Sequence, residues 1–186
     1  MLPKINEYRA KYPTSPIVDT TITDIKTLLS PNVYQKAAWV LHMLRKQIGD
    51  EAFFQGVRTY YDTYKVSNAL TADFQVVMQK ASGQELGWFF EQWIFKPTLP
   101  ELTLSWKYNK KVGKLSVEVK SPGLSKSVKL PLELGIKGTN EAISEIKTME
   151  VSGESTTAEW DVGQMPAGVV ADPNTWLLAN IKVSNK

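Results

Sequence analysis

The 186-residue sequence contains no cysteine, and that absence removes disulfides, iron–sulfur clusters, zinc ribbons and thiol nucleophiles together. It contains one histidine, His42. A self-contained zinc-hydrolase helix of the H-E-x-x-H kind needs two imidazoles, so this chain cannot build one. No apolar run approaches the roughly 20 residues of a membrane-spanning helix, and no membrane partner is expected. Met1–Glu7 lacks the charged-then-apolar order of a signal peptide. Charge of one sign is scarce too: 22 Lys+Arg stand against 19 Asp+Glu, with acids interleaved among the bases. A phosphate-binding surface needs clustered bases, so no nucleic-acid partner is expected. There is no G-x-S-x-G, no phosphate-cradling glycine loop, no internal repeat and no low-complexity segment. Compartment is left open.

The hydrophobic fraction is 42% and the charged fraction 22%, the balance of a folded domain. The pattern changes near Pro97. Before it apolar residues recur at helical spacing; after it they alternate, or cluster in short runs between turn residues. Two modules are expected, residues 1–97 helical and residues 98–186 built of strands, in an α+β chain.

The clearest helix runs from Asn32 to Ile48. Ser30 or Asn32 is suited to cap it, and Gly49 to stop it. At about 100° per residue, Val33, Ala37, Val40, Leu41, Leu44 and Ile48 form one apolar arc, with Tyr34 at its edge and His42 opposite. Asp50 is placed to cap a second helix with Phe53, Val57, Tyr60, Tyr61 and Tyr64 on one face. A third opens at Thr71, turns Phe74, Val77, Met78 and Ala81 inward and ends at Gly83. A fourth, from Glu85 to about Phe95, carries Leu86, Phe89, Phe90 and Trp93. Ile5–Tyr12 and Thr23–Leu29 are candidates for shorter helices.

Beyond Pro100, Leu102, Leu104 and Trp106 alternate with polar residues, as do Leu115, Val117 and Val119, the signature of strands with one wet face. Further strands are expected over Val128–Ile136, Ile143–Val151, Thr156–Trp160, Val169–Ala171 and Trp176–Lys182. Seven short strands with regularly spaced turns suggest an antiparallel sandwich.

The residues by themselves complete no active site. His42 lies mid-helix between Leu41 and Met43, where an amphipathic-helix histidine is the simpler reading than a general base. Carboxylate pairs such as Asp50/Glu51 and Glu141/Glu145 read as caps and solvated faces. The aromatic residues raise a glycan-binding helical-plus-sandwich module as one reading, although the helical spacing of Phe89, Phe90 and Trp93 favours core.

One stretch carries more. NVYQKAAWVLHMLRKQIGDEAFFQGVRTYYDTY resembles the segment downstream of the zinc site in aminopeptidase N-like zinc metallopeptidases, the gluzincins related to leukotriene hydrolase. The matching residues are Tyr34, Lys36, Ala38, Leu41, Leu44, Arg45, Gly49, Asp50, Phe53 and Tyr60. Thr71, Phe74, Ser82-Gly83, Leu86, Phe89-Phe90 and Gln92-Trp93 continue the match in order. Pro100, Leu102 and Trp106, then Asp172-Pro173, Trp176 and Leu178, are similar to the family's following β-domain. The chain departs from the pattern at Ala37, where the family usually has glycine, and it lacks the H-E-x-x-H helix and the later glutamate ligand.

The resemblance implies the helical C-terminal part of a thermolysin-like catalytic domain followed by an antiparallel β-sandwich, as the C-terminal fragment of a zinc-dependent aminopeptidase. It implies zinc in the full-length parent and none in this fragment, which by itself would be inactive. The partners it implies are the upstream catalytic half of the same chain and a peptide substrate. Tyr34 takes the place of the tyrosine that steadies the oxyanion, a role suited to a phenol because it keeps its proton near neutrality; taken alone, Tyr34 reads as a boundary aromatic. Lys36 is assigned to structure, its stem covering the helix and its charge in water. A non-catalytic homologue serving as a protein-interaction scaffold is the other reading of the same pattern.

Overall fold

The structure, a computed structural model, describes residues 1–24 and 29–185. Most of the short helix expected over Thr23–Leu29 lies outside the described residues. Two compact units divide at Thr98/Leu99.

The first unit is helical. Helix α1 spans Leu2–Lys11, α2 Ala37–Ile48, α3 Asp50–Tyr64, α4 Thr71–Ser82 and α5 Gly87–Phe90. Two single π turns interrupt the α pattern, one over Asn32–Lys36 leading into α2, the other over Glu91–Phe95 continuing α5. Between α2 and α3 the chain reverses through Gly49, whose φ of 84° suits a residue without Cβ. Arg45 spans the same corner, donating from Nε and Nη2 to the two carboxylate oxygens of Asp50 at 2.8 and 2.6 Å. Asp50 is thus the first residue of α3 and an ion-pair partner, and its side chain caps no amide. Helix α4 follows the expected pattern closely: Met78 is fully buried, and Gly83 ends the helix in the left-handed region. Leu86, Phe89, Phe90 and Trp93 are all buried, which puts them in the apolar core of this unit.

The face of α2 differs from the expected arc. Val40, Leu44 and Ile48 are buried as anticipated, and Met43 joins them, whereas Val33 and Leu41 are exposed. Leu41 and Met43 lie beyond the π turn in the regular helix α2, whose buried face includes Met43 and leaves Leu41 outside. The π turn explains the exposure of Val33. Its amides bond five residues back, Lys36 N to Pro31 O at 2.9 Å and Ala37 N to Asn32 O, so the turn holds one more residue than an α turn and rotates what precedes it. Neither Ser30 nor Asn32 caps the helix; the turn starts after Pro31 without a side-chain cap. In α3, Gly56 is buried and Phe53, Tyr60 and Tyr64 are half-buried, while Val57 and Tyr61 face solvent.

The second unit contains two small sheets. Strands β1 (Glu101–Asn109), β2 (Lys114–Lys120), β5 (Ser155–Asp161) and β7 (Asn180–Asn185) form the first, in the order β5-β2-β1-β7. Strands β3 (Leu130–Lys137), β4 (Ile143–Val151) and β6 (Gly168–Ala171) form the second, in the order β4-β3-β6. Alternate residues of β1 (Leu102, Leu104, Trp106), β2 (Leu115, Val117, Val119) and β3 (Leu130, Leu132, Leu134, Ile136) are buried. The fold is therefore α+β. The expectation of wholly antiparallel strands is corrected at one pairing: β7 runs parallel to β1, with Glu101 opposite Asn180 and Leu104 opposite Val183. The last strand also starts later than expected. Residues 176–179 lie outside any strand: the Asp172 carboxylate accepts the amides of Trp176 and Leu177, both at 2.8 Å, so these amides are unavailable to a ladder.

Candidate functional site

The residues that resemble a known active-site segment lie on the first π turn and the start of α2. π turns occur mostly as single insertions and often at functional sites. This one is fastened at both ends by polar side chains that point inward. Asn32, 1% exposed, donates from Nδ2 to Ser15 O at 2.6 Å and to Pro16 O at 3.3 Å. Lys36, wholly buried, donates from Nζ to Lys96 O at 3.0 Å. The assignment of Lys36 to a structural position with a wet charge is corrected in its second half: the ammonium is inside. Burial, reinforced by the nearby positive charge of Arg9, pushes its pKa down to about 8.

Between these anchors Val33 and Tyr34 turn outward. Tyr34 is 57% exposed, and among the described residues it takes part in no further interaction of its own. The boundary position expected from the helical wheel becomes a projecting one because the π turn rotates the ring away from the core. A free phenol at the surface is a competent donor toward a group brought to it from outside.

His42 is half-buried on α2 beside the core residue Met43, and it takes part in an interaction within the chain. Ala37, the departure from the family's glycine, is the first residue of α2 and half-buried. Phe89, Phe90 and Trp93, whose helical spacing favours core over sugar stacking, are buried, with no exposed ring face. A concave surface of about 340 Å³ crosses β1, β2 and β5, lined by residues such as Lys107, Glu118 and Thr157. There Ser116 Oγ donates to Glu159 at 2.7 Å, and the groove is lined by no histidine to serve as base to a serine nucleophile.

Zinc binding can be tested on the residues present. Structural and catalytic zinc sites draw three or four ligands from Cys, His, Asp and Glu. Among the described residues no three such side chains come together, and the sequence offers one histidine and no cysteine. These residues do not fit a zinc ion.

Residues 5–93 match the model of the Peptidase family M1 domain. The chain is 32% identical over 120 residues to Probable aminopeptidase 2 of Sulfurisphaera tokodaii, a stretch covering 64% of this chain and 15% of that protein. It is 35% identical over 78 residues to aminopeptidase N of Lactococcus lactis subsp. lactis, covering 41% of this chain and 9% of that one. Legionella pneumophila aminopeptidase A, crystallised in complex with aspartic acid, has a similar structure, with a TM-score of 0.80 at 18% identity over 93% of this chain and 20% of that chain. At that identity the last likeness is one of fold. The chain is related to the M1 aminopeptidases, and the relationship is strongest over its helical unit. It spans a fifth or less of the length of these relatives.

Proposed function

We propose that this chain is the C-terminal part of a zinc-dependent aminopeptidase, which removes N-terminal residues from peptides, and that Tyr34 is its oxyanion-stabilising residue. Attack of water on a peptide carbonyl places negative charge on the carbonyl oxygen. A phenol aimed at that oxygen donates a hydrogen bond that strengthens as the charge develops. The single observation that carries the reading is the exposed Tyr34 ring on a turn whose two ends are fastened by the buried Asn32 and Lys36 side chains.

The metal belongs, on this reading, to sequence that precedes the chain, because the residues here do not fit it. Val33 and Leu41, apolar and exposed on either side of Tyr34 in sequence, suit a face that the preceding half of the catalytic domain covers. The alternating buried positions of β1, β2 and β3 support reading the two sheets as a β-sandwich, and the helical unit as the end of a thermolysin-like domain. By itself the chain is then inactive.

The test compares this chain with the polypeptide encoded together with its upstream sequence, using aminoacyl-p-nitroanilides. Activity confined to the longer polypeptide, and abolished by a zinc chelator, is expected. Activity of the short chain, or chelator-resistant activity of the long one, contradicts the reading.

A further inference from the structure

Taking an ammonium out of water is costly, and a lysine used only for its stem keeps its head group wet. Lys36 keeps no wet head group: it is wholly buried, close enough to Arg9 to feel its charge, and its Nζ donates to the carbonyl of Lys96. That carbonyl follows directly on the second π turn, at the end of a helical segment where unpaired carbonyls attract cations. Stability alone gives no reason for the charge, since an apolar side chain of similar volume commonly serves a buried position as well or better.

The position of the tether supplies a reason. The Lys36 amide is one of those that close the π turn, through Pro31 O, and the next closes on Asn32 O. Asn32 is fixed at the other end by the carbonyls of Ser15 and Pro16. Tyr34 lies midway between the two anchors. A π turn is an α-helix with one residue inserted, and it persists where surrounding contacts enforce it. Were it to relax into α-helix, residues ahead of the insertion would rotate by about 100° around the axis, carrying the Tyr34 ring off its present side.

We propose that Lys36 is a positioning residue for Tyr34: its tether to the Lys96 carbonyl holds the π turn in register and so fixes the direction in which the phenol leaves the helix. This inference rests on the reading of Tyr34 as the oxyanion donor, and the two are separable by experiment.

Lys36→Met keeps the length of the stem and removes the donor. In the 186-residue chain, amide hydrogen exchange of K36M is expected to be faster at Lys36→Met itself and at Ala37, the amides that close the π turn, with the amides of Leu44 and Ile48 later in α2 unchanged. Unchanged protection at the first two overturns the inference, whatever the enzyme does; so does uniform loss along α2, which marks general destabilisation. In the full-length enzyme K36M is expected to lower kcat on the order of 10²-fold, the cost of misplacing a group by about 1 Å, with KM little altered. Combined with Tyr34→Phe it is expected to add nothing to the loss caused by Y34F, because both remove one function. Losses that multiply, or K36M with unaltered kcat, overturn the inference and leave the role of Tyr34 standing. Unaltered kcat in Y34F removes that role, and the inference with it.

Discussion

Lys36 and Lys96 are joined by a single part-buried hydrogen bond, Nζ to carbonyl oxygen at 3.0 Å, across sixty positions of the chain. The bond ties the turn bearing Tyr34 to the end of the segment bearing Trp93. It also stores a pH dependence. The Lys36 pKa is lowered from 10.5 to about 8, by burial first and by Arg9 second. Between those values the unfolded chain binds more protons than the native one, so stability rises as pH rises through this window. At about 1.36 kcal/mol per unit, Lys36 subtracts on the order of 3 kcal/mol at neutral pH, and the loss is recovered above about pH 10.5. Urea unfolding of wild type and Lys36→Met at pH 7 and pH 10 measures it. The stability difference is expected to move in favour of wild type at the higher pH; a constant difference contradicts the buried, proton-poor environment.

Gly56 in α3 faces α4 so closely that an added Cβ would sit 2.5 Å from Met78 Sδ. Met78 is fully buried and has little room to withdraw. Overpacking of this kind costs about 1–3 kcal/mol, against a helix-propensity gain of about 1 kcal/mol for alanine over glycine. Gly56→Ala is therefore expected to destabilise the helical unit by about 1 kcal/mol in denaturant titration. A more stable variant would show that α3 and α4 separate easily.

Asp172 adopts φ 49°, a conformation that aspartate tolerates better than most residues, and its carboxylate accepts the amides of Trp176 and Leu177. Asp172→Ala removes charge-assisted bonds of about 1.5–3 kcal/mol beside the buried Leu177 and Leu178. A loss of that size is expected in the unfolding of the β unit, with Asp172→Asn intermediate. Equal stability of the alanine variant would mean the turn is held by other contacts.

Periodicity carried the reading of the chain wherever a single element decides burial. The stripe Leu86, Phe89, Phe90 and Trp93 is core, and Leu102, Leu104 and Trp106 point inward, because a helix or strand exposes its period directly in sequence. The π turn has no such signature. It inserts one residue without altering composition, so ahead of α2 the buried positions are Asn32 and Lys36 and Val33 lies outside; within α2 the edge of the apolar arc falls on Met43 and not on Leu41. The parallel pairing of β7 with β1 was equally hidden, since alternation reports which face is buried and says nothing of strand order. The strand expected over Trp176–Lys182 begins only at Asn180, because the Asp172 carboxylate takes the amides of Trp176 and Leu177. The resemblance singled out Tyr34, but the burial of Lys36 depends on a carbonyl sixty positions away and was out of reach of any local pattern.

The central claim concerns the Tyr34 hydroxyl, and Tyr34→Phe in the full-length enzyme tests it most directly, because the change removes one oxygen atom from an exposed side chain. A donor that acts on the developing charge is worth about 10²–10³ in kcat, and losing it lowers kcat far more than it alters KM. That fall is expected, with folding unchanged by circular dichroism. A variant that turns over at the wild-type rate contradicts it.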